Sequence, residues 1–211
     1  MDARRSELLK ASPRMFDSDL LDKLSRVHPA VPVVIYVPEI LVLLGLALSA
    51  DGRPTGLGLV GLFVGGYLLW TLSEYWIHRV IFHFEPEEGF GARLHWIIHG
   101  VHHDHPNDPL RLVMPPSVSV PLSALFCVGF WFALGTPLWY AFGAGFLAGY
   151  LIYDMTHYHL HHHTPKTRAG KRLRELHMRH HFQDDTTGFG ISAPYWDTAF
   201  RTHSPKAKRE A

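Results

Sequence analysis

Four stretches of this chain are too long and too apolar to be packed together inside a protein of 211 residues, and they decide the fold class before any motif is considered. Residues 30–50, "AVPVVIYVPEILVLLGLALSA", carry one charge, Glu39, over the length a helix needs to cross a bilayer core. Residues 56–77 run apolar as far as Glu74, and residues 117–135 and 137–153 hold no charge at all. A soluble core could absorb one such run, but not four. The mean hydropathy of +0.01 conceals them, because apolar blocks alternate with very polar ones.

The links between the spans set the topology. "DGRPT" joins the first two and "GT" the last two, connections short enough only for helical hairpins, so the remaining sequence falls on one face of the membrane. Of the 20 Lys and Arg, only Arg53 lies in a far-side loop, which predicts a cytosolic near face at a bacterial inner membrane or the endoplasmic reticulum. The expected fold is therefore all-α and integral to the membrane. Four transmembrane helices form two hairpins within 30–211, under a cytosolic helical cap made of 78–116 and 154–203. Residues 1–29 read as a cytosolic or interfacial segment, with Leu20, Leu21, Leu24 and Val27 lining one face of a short amphipathic helix. No cleavable signal peptide is expected, because the first apolar run starts too late. "GLFVG" (61–65) and "GFLAG" (145–149) are small-xxx-small patterns that allow helices to approach closely. A net charge of +1 gives no field to recruit nucleic acid, and the single Cys127 excludes both a disulfide framework and a Cys-rich zinc module.

Histidine is the second outlier, with 17 in the chain. "HYHLHHH" (157–163) resembles an affinity tag but lies well inside the sequence. Written as spacings, the histidines repeat. His78 and His83 follow the second span, then His99, His102 and His103. His157 and His161 end the fourth span, then come His177, His180 and His181. His83, His99, His102 and His103 each recur at an offset of 78, whereas His78 and His157 miss that offset by one. A twofold axis along the membrane normal would bring the two halves together. On a helix, positions i, i+3 and i+4 fall within an arc of about 100°, so each HxxHH can present three imidazoles on one face. His78 and His83 lie about 140° apart on an ideal helix, so that helix is distorted there or the pair serves two metals. Ten imidazoles are too many for one ion and suit two, with four or five nitrogens each. His159, His162 and His163 read as accessory, and His28, His95, His105 and His203 as ordinary histidines.

Imidazole sites suit zinc, copper, iron or nickel. A nitrogen-rich pair of irons with an open position could bind dioxygen and oxidise a C–H bond, a step closed to redox-inert zinc. Each ligating ring should donate its second N–H to an acceptor, for which Glu74 and Asp154 are placed, with Asp104 and Asp108 nearby.

"EYWIHRVIFH" (74–83), "HGVHHDHPNDPLRLVMPP" (99–116), "YDMTHYHLHH" (153–162) and "RHHFQDDTTGFGISAPYWDTAF" (179–200) are similar to signature segments of the fatty acid hydroxylase and sterol desaturase superfamily. They most resemble its fatty acid 2-hydroxylase branch, over about residues 60–203. The histidine motifs are shared across the superfamily, whereas "PNDPLRLVMPP" and "YDMTHY" are more specific. The resemblance implies two metal ions on His78, His83, His99, His102, His103, His157, His161, His177, His180 and His181, with Tyr153 and Asp154 beside them. It implies iron as the working metal, zinc as an occupant of the purified protein, dioxygen as co-substrate, and 2-hydroxylation of a long acyl chain, free or in a sphingolipid. Eukaryotic members commonly carry an amino-terminal cytochrome b5 domain, for which residues 1–29 are too short. A separate cytochrome b5-like or ferredoxin-like electron donor is therefore expected, and the basic stretch 166–179 could dock it or bind headgroups. Two other readings share the histidine boxes: a hydroxylase or desaturase of a sterol, hopanoid or carotenoid, and a non-catalytic metal-binding membrane protein.

Overall fold

The computed structural model describes residues 3–204; residues 1–2 and 205–211, the outer ends of the segments expected at 1–29 and 30–211, lie outside the described residues. In chain order the helices are α1 (Ala3–Lys10), α2 (Asp19–Leu24), α3 (Ala30–Ser49), α4 (Gly56–Trp76), α5 (Gly89–His95), α6 (Val101–Asp104), α7 (Pro116–Leu134), α8 (Leu138–His162), α9 (Arg168–Phe182) and α10 (Tyr195–Ala199). Two π-helical turns, Ile77–Phe82 and Trp96–Gly100, extend α4 and connect α5 to α6. No strand occurs among the described residues. The starts are locally encoded. Thr55 and Thr167 accept the N–H groups of Gly58 and Gly170, capping α4 and α9, and Pro116 opens α7 where a missing N–H costs nothing.

Among the described residues, three helices are long and apolar enough to cross a membrane: Ala30–Ser49, Gly56–Phe82 and Pro116–Leu134. Their outward residues, among them Val34, Leu41, Leu57, Val60, Leu125 and Phe132, are exposed, as a lipid-facing surface requires. The fourth expected span, 137–153, forms the first part of α8. It is not one of those three helices, and it packs against α3, α4 and α7 at the centre of the bundle. Ala141, Ala144, Gly145, Phe146 and Leu147 are buried there by protein.

Close approach of α4 and α8 depends on glycine. A Cβ on Gly145 would lie 1.9 Å from the Phe63 carbonyl oxygen, and one on Gly66 the same distance from that of Phe142. The "GFLAG" pattern therefore marks a contact at both ends, since a Cβ on Gly149 would strike Trp70. In "GLFVG" only Gly65 meets α8; Gly61 faces open space, and the tight crossing falls on Gly66 instead. Above this crossing Tyr36, Trp70, Phe146, Tyr150 and Tyr153 form a buried aromatic cluster with mostly edge-on contacts.

The amino-terminal segment is clasped to the cap. Asn107 N–H donates to Leu9 O at 2.9 Å, Val27 N–H to Leu110 O at 2.6 Å, and Arg93 to the Met15 carbonyl. Leu20, Leu21 and Leu24 of α2 are exposed, but Val27 is buried and does not belong to their face, because the chain has turned inward to pair with Leu110.

Candidate metal centre

Four helical termini and one loop bring all ten histidines together, in two groups of five. His78, His83, His99, His103 and His180 form one; His102, His157, His161, His177 and His181 form the other. Within each group the five candidate ligand nitrogens lie within 4.8 Å of one another. The groups adjoin, the His103 and His181 rings stacking with centroids 4.3 Å apart.

The division follows the internal repeat with one exchange. Each half of the chain supplies four histidines to its own group and one to its counterpart: His102 crosses to the second group, and His180 to the first. Each HxxHH therefore does not serve a single group. On both helices the i and i+4 rings turn one way and the i+3 ring the other. The spacing mismatch between His78–His83 and His157–His161 has a structural answer too. Helix α8 carries its pair at i, i+4 in regular geometry, whereas the Ile77–Phe82 turn is π-helical. His83 N–H bonds His78 O at 3.1 Å, an i→i+5 closure that stacks residues five apart, so both rings enter one group.

The nitrogens face each other as lone pairs. His78 Nδ1–H donates to Phe189 O and His180 Nδ1–H to Thr187 O, both at 2.7 Å, which leaves Nε2 of each ring bare. Those bare atoms lie 3.2 and 3.0 Å from His83 Nε2, and His99 Nε2 lies 3.2 Å from His78 Nε2 and 3.0 Å from His103 Nε2. One shared proton cannot satisfy all these contacts. A zinc–imidazole bond of about 2.0–2.1 Å puts two ligands of one ion roughly 3 Å apart at a right angle. In the second group His161 Nε2 and His177 Nε2 are 2.7 Å apart, while Nε2 of His102, His157 and His181 is buried with no hydrogen-bond partner. Converging, buried, unpartnered nitrogens are what a bound cation would satisfy, so the residues fit a metal in each group.

Electrostatics agree. Burial, reinforced by the neighbouring imidazoles, holds His99, His102, His177 and His181 well below the usual histidine range. The same causes push His83 down to about 2 and His103 to about 3. At neutral pH these rings are neutral and present lone pairs, the state a ligand requires.

Neither Glu74 nor Asp154, expected as acceptors for the second ring N–H, takes a histidine, and nor do the nearby Asp104 and Asp108. Both Glu74 oxygens hold Ser192, with the backbone N–H at 2.7 Å, and Asp154 accepts from Tyr150 at 3.4 Å. Asp104 accepts the Trp96 indole N–H, and Asp108 the Leu110 N–H. The acceptors are instead main-chain carbonyls of the 187–189 loop. Asp197 holds that loop, accepting N–H from Phe189 and Gly190 at 2.8 Å each and the Thr202 hydroxyl at 2.9 Å. Gly188 turns there at φ +78, a conformation L side chains rarely adopt. Phe189 then presents its ring edge-on to His78, His83 and His180. Carbonyl acceptors carry no residue-type signature, although "GFG" at 188–190 was a hint that backbone approaches something closely there.

A cavity of about 260 Å³ reaches both groups. Its walls include His99 of the first group, His102 and His157 of the second, Tyr153 and Asp154, and a mostly apolar remainder that extends to Leu21 and Leu24. Tyr153 and Asp154 are buried there, the Tyr153 ring lying 5.9 Å from that of His157. The other histidines stay outside both groups: His95 faces Glu85, His105 donates to Leu8 O, and His159 stacks on His163.

Residues 63–202 match the model of the fatty acid hydroxylase family. A dihydroceramide fatty acyl 2-hydroxylase of Arabidopsis thaliana is 40% identical over 200 residues, covering 92% of this chain and 81% of the relative. The fatty acid 2-hydroxylase of Homo sapiens is 38% identical, and this chain covers 57% of its length. A solved structure described as full-length scs7p, with only the hydroxylase domain visible, superposes with a TM-score of 0.79 at 35% identity, over 89% of this chain and 70% of that one.

Proposed function

This chain belongs to the fatty acid hydroxylase family, and from that premise we propose that it 2-hydroxylates long acyl chains of fatty acids or sphingolipids at the membrane surface. The observation that carries the reading is the apolar cavity that His99, His102 and His157 line, which offers an acyl chain access to both histidine groups. In this reading residues 1–29 form an interfacial segment and 30–211 the hydroxylase domain, with the metal groups on the cytosolic side, where Lys and Arg concentrate.

The ten histidines hold two ions, iron in the working enzyme and zinc where iron has been replaced. Bound there, iron supplies the activation of dioxygen. The balance is one C–H bond and O2, with two electrons and two protons, giving one C–OH and one water. A separate carrier brings the electrons, and the exposed basic residues Lys171 and Arg172 of α9 suit an acidic one. The chain's own contribution is placement. Carbonyls of Thr187 and Phe189 keep His180 and His78 in the tautomer with Nε2 bare. Leu112, Val113 and Met114 line the cavity and exclude water from the acyl chain. Tyr153 and Asp154 line the same cavity as His102 and His157, beside the carbon to be oxidised in this reading.

The test is mass spectrometry of lipids from a host with and without the protein, grown under oxygen-18. Labelled 2-hydroxy acyl chains are expected only when the protein is present. Labelled sterol, hopanoid or carotenoid without them, or metal uptake with no oxidised lipid, would overturn the reading.

A further inference from the structure

One ring of the first histidine group faces two ways. His83 Nε2 lies among the other ligand nitrogens, 3.2 Å from His78 Nε2 and 3.0 Å from His180 Nε2. Its Nδ1, on the opposite edge of the ring, stands 3.6 Å from Glu85 Oε1, too far for a hydrogen bond. Asp185 completes a trio in which one ligand atom of each residue lies within 4.8 Å of the others. His95 Nε2 borders it, 3.8 Å from the same Glu85 oxygen. Depth is graded across this set. The His83 side chain is 8% exposed and that of Glu85 55%, and Asp185 is exposed too.

Exposed carboxylates are ordinary by themselves, but here a buried nitrogen turns its lone pair toward them. His180 donates Nδ1–H to Thr187 O, so its Nε2 can only accept, and its contact with His83 needs the proton on His83 Nε2. A neutral imidazole with Nε2 protonated has a bare Nδ1. That lone pair and two carboxylates repel one another, and a divalent cation among them would reverse the sign of every contact. The inner ligands also need an attraction they lack. Imidazole binds a metal as a neutral ring, so ten of them bring no charge to draw a cation from water. Glu85 and Asp185 supply that charge at the surface beside the first group, and Glu87 and Glu88 follow on the same loop. Fixed charges of opposite sign raise the rate at which an ion is captured.

We propose that Glu85, Asp185 and His83 Nδ1 form an outer site for a divalent transition-metal ion, through which the first histidine group is loaded. The ion is held first by carboxylate oxygens at the surface, with His95 beside it, and then passes the His83 ring to the Nε2 side. No electron is transferred, and the ring's one proton moves from Nε2 to Nδ1 by exchange with water. The proposal rests on the histidine groups holding ions and is independent of which lipid is oxidised.

The test is stopped-flow loading of the metal-stripped protein in detergent with Co2+, followed by the visible absorption of cobalt–imidazole bonds, with final cobalt per chain measured afterwards. The phase missing from His78→Ala identifies the first group. In the parent the rate of that phase should level off as Co2+ rises, because an outer complex forms first. Ca2+, which takes oxygen ligands, should slow it at constant ionic strength without lowering the final content. Glu85→Gln with Asp185→Asn should load the first group about tenfold more slowly, lose the sensitivity to Ca2+, and still reach the parent's content at saturating Co2+. Loading at the parent's rate would overturn the proposal; if cobalt were then held more weakly, the carboxylates would be a brace for His83 instead. Should the double variant fail to fold, the parent decides: a rate linear in Co2+ and indifferent to Ca2+ would overturn the outer site. A parent that takes up no cobalt at its histidines would sink the metal centre itself, whereas two ions taken up at a rate that neither the carboxylates nor Ca2+ influence would sink only the outer site.

Discussion

In the first histidine group, His78 and His180 each donate Nδ1–H to a carbonyl of the 187–189 loop. In the second, Nδ1 of His161, His177 and His181 is buried and has no hydrogen-bond partner. The two groups share the same five-ring composition and nearly the same sequence spacing, yet only the first has rings, His78 and His180, held by backbone carbonyls. The difference teaches that repeated ligands do not imply repeated support. The carboxyl-terminal loop packs on the end of α4, through Glu74–Ser192 and the Tyr195 hydroxyl on Thr71, and so can brace only the group nearest α4. The rings of the other group lie mostly on α8 and α9.

The strongest challenge to this comparison is to remove the exchanged ligands. His180→Ala should empty the first group and His102→Ala the second, each lowering 2-hydroxy product by at least about a hundredfold, as read by metal analysis and lipid mass spectrometry. If either variant loses one ion and retains full product, the two groups do not serve one reaction. Acid is the next largest perturbation. His99, His103 and His177 have folded-state pKa values depressed below the unfolded 6.5, so their contribution is complete above pH 6.5 and is lost as pH falls from there toward about 3, the value for His103. Each such ring removes up to about 1.4 kcal/mol per pH unit from the metal-free protein. The urea midpoint should therefore drop steeply between pH 7 and 5, and a flat midpoint would show that burial does not govern these rings. Loss of one ion before the other on acid titration of the loaded protein would rank their protection.

Asp197→Ala tests the brace itself. Without its three hydrogen bonds the 187–189 carbonyls lose their position, and affinity at the first group should fall about 10–100-fold while the second is spared. Equal losses at both would erase the distinction between braced and unbraced rings. The smallest effect belongs to the helix pair that carries both groups. Gly145→Ala forces α4 and α8 apart at Phe63 and should cost about 1–3 kcal/mol, seen as a lower thermal midpoint with metal content retained.

Much of this was legible because it rests on residue type. Ten imidazoles, eight of them paired at an offset of 78, next to apolar spans, mark the rings that the structure gathers into two groups, and the 140° misfit of His78 and His83 marks a distorted turn. The exchange of His102 and His180 was not legible, since positions 99, 102 and 103 share one arc of a helix and nothing local says to which group each ring turns. Glu74 and Asp154 were misread because nearness along the chain says nothing of direction: Glu74 turns to Ser192 and Asp154 to Tyr150. The carbonyl braces left no trace beyond the "GFG" at 188–190, every residue having a carbonyl. Arg111 stood inside a quoted motif, but its pairing with Asp22, 89 positions away, is tertiary information.

The exchange of one ring between halves makes each group depend on both. Neither half completes a set of five rings alone, because His102 is seated with His157, His161, His177 and His181, and His180 with His78, His83, His99 and His103. Misplacing α6 or α9 as a whole would therefore disturb both groups at once.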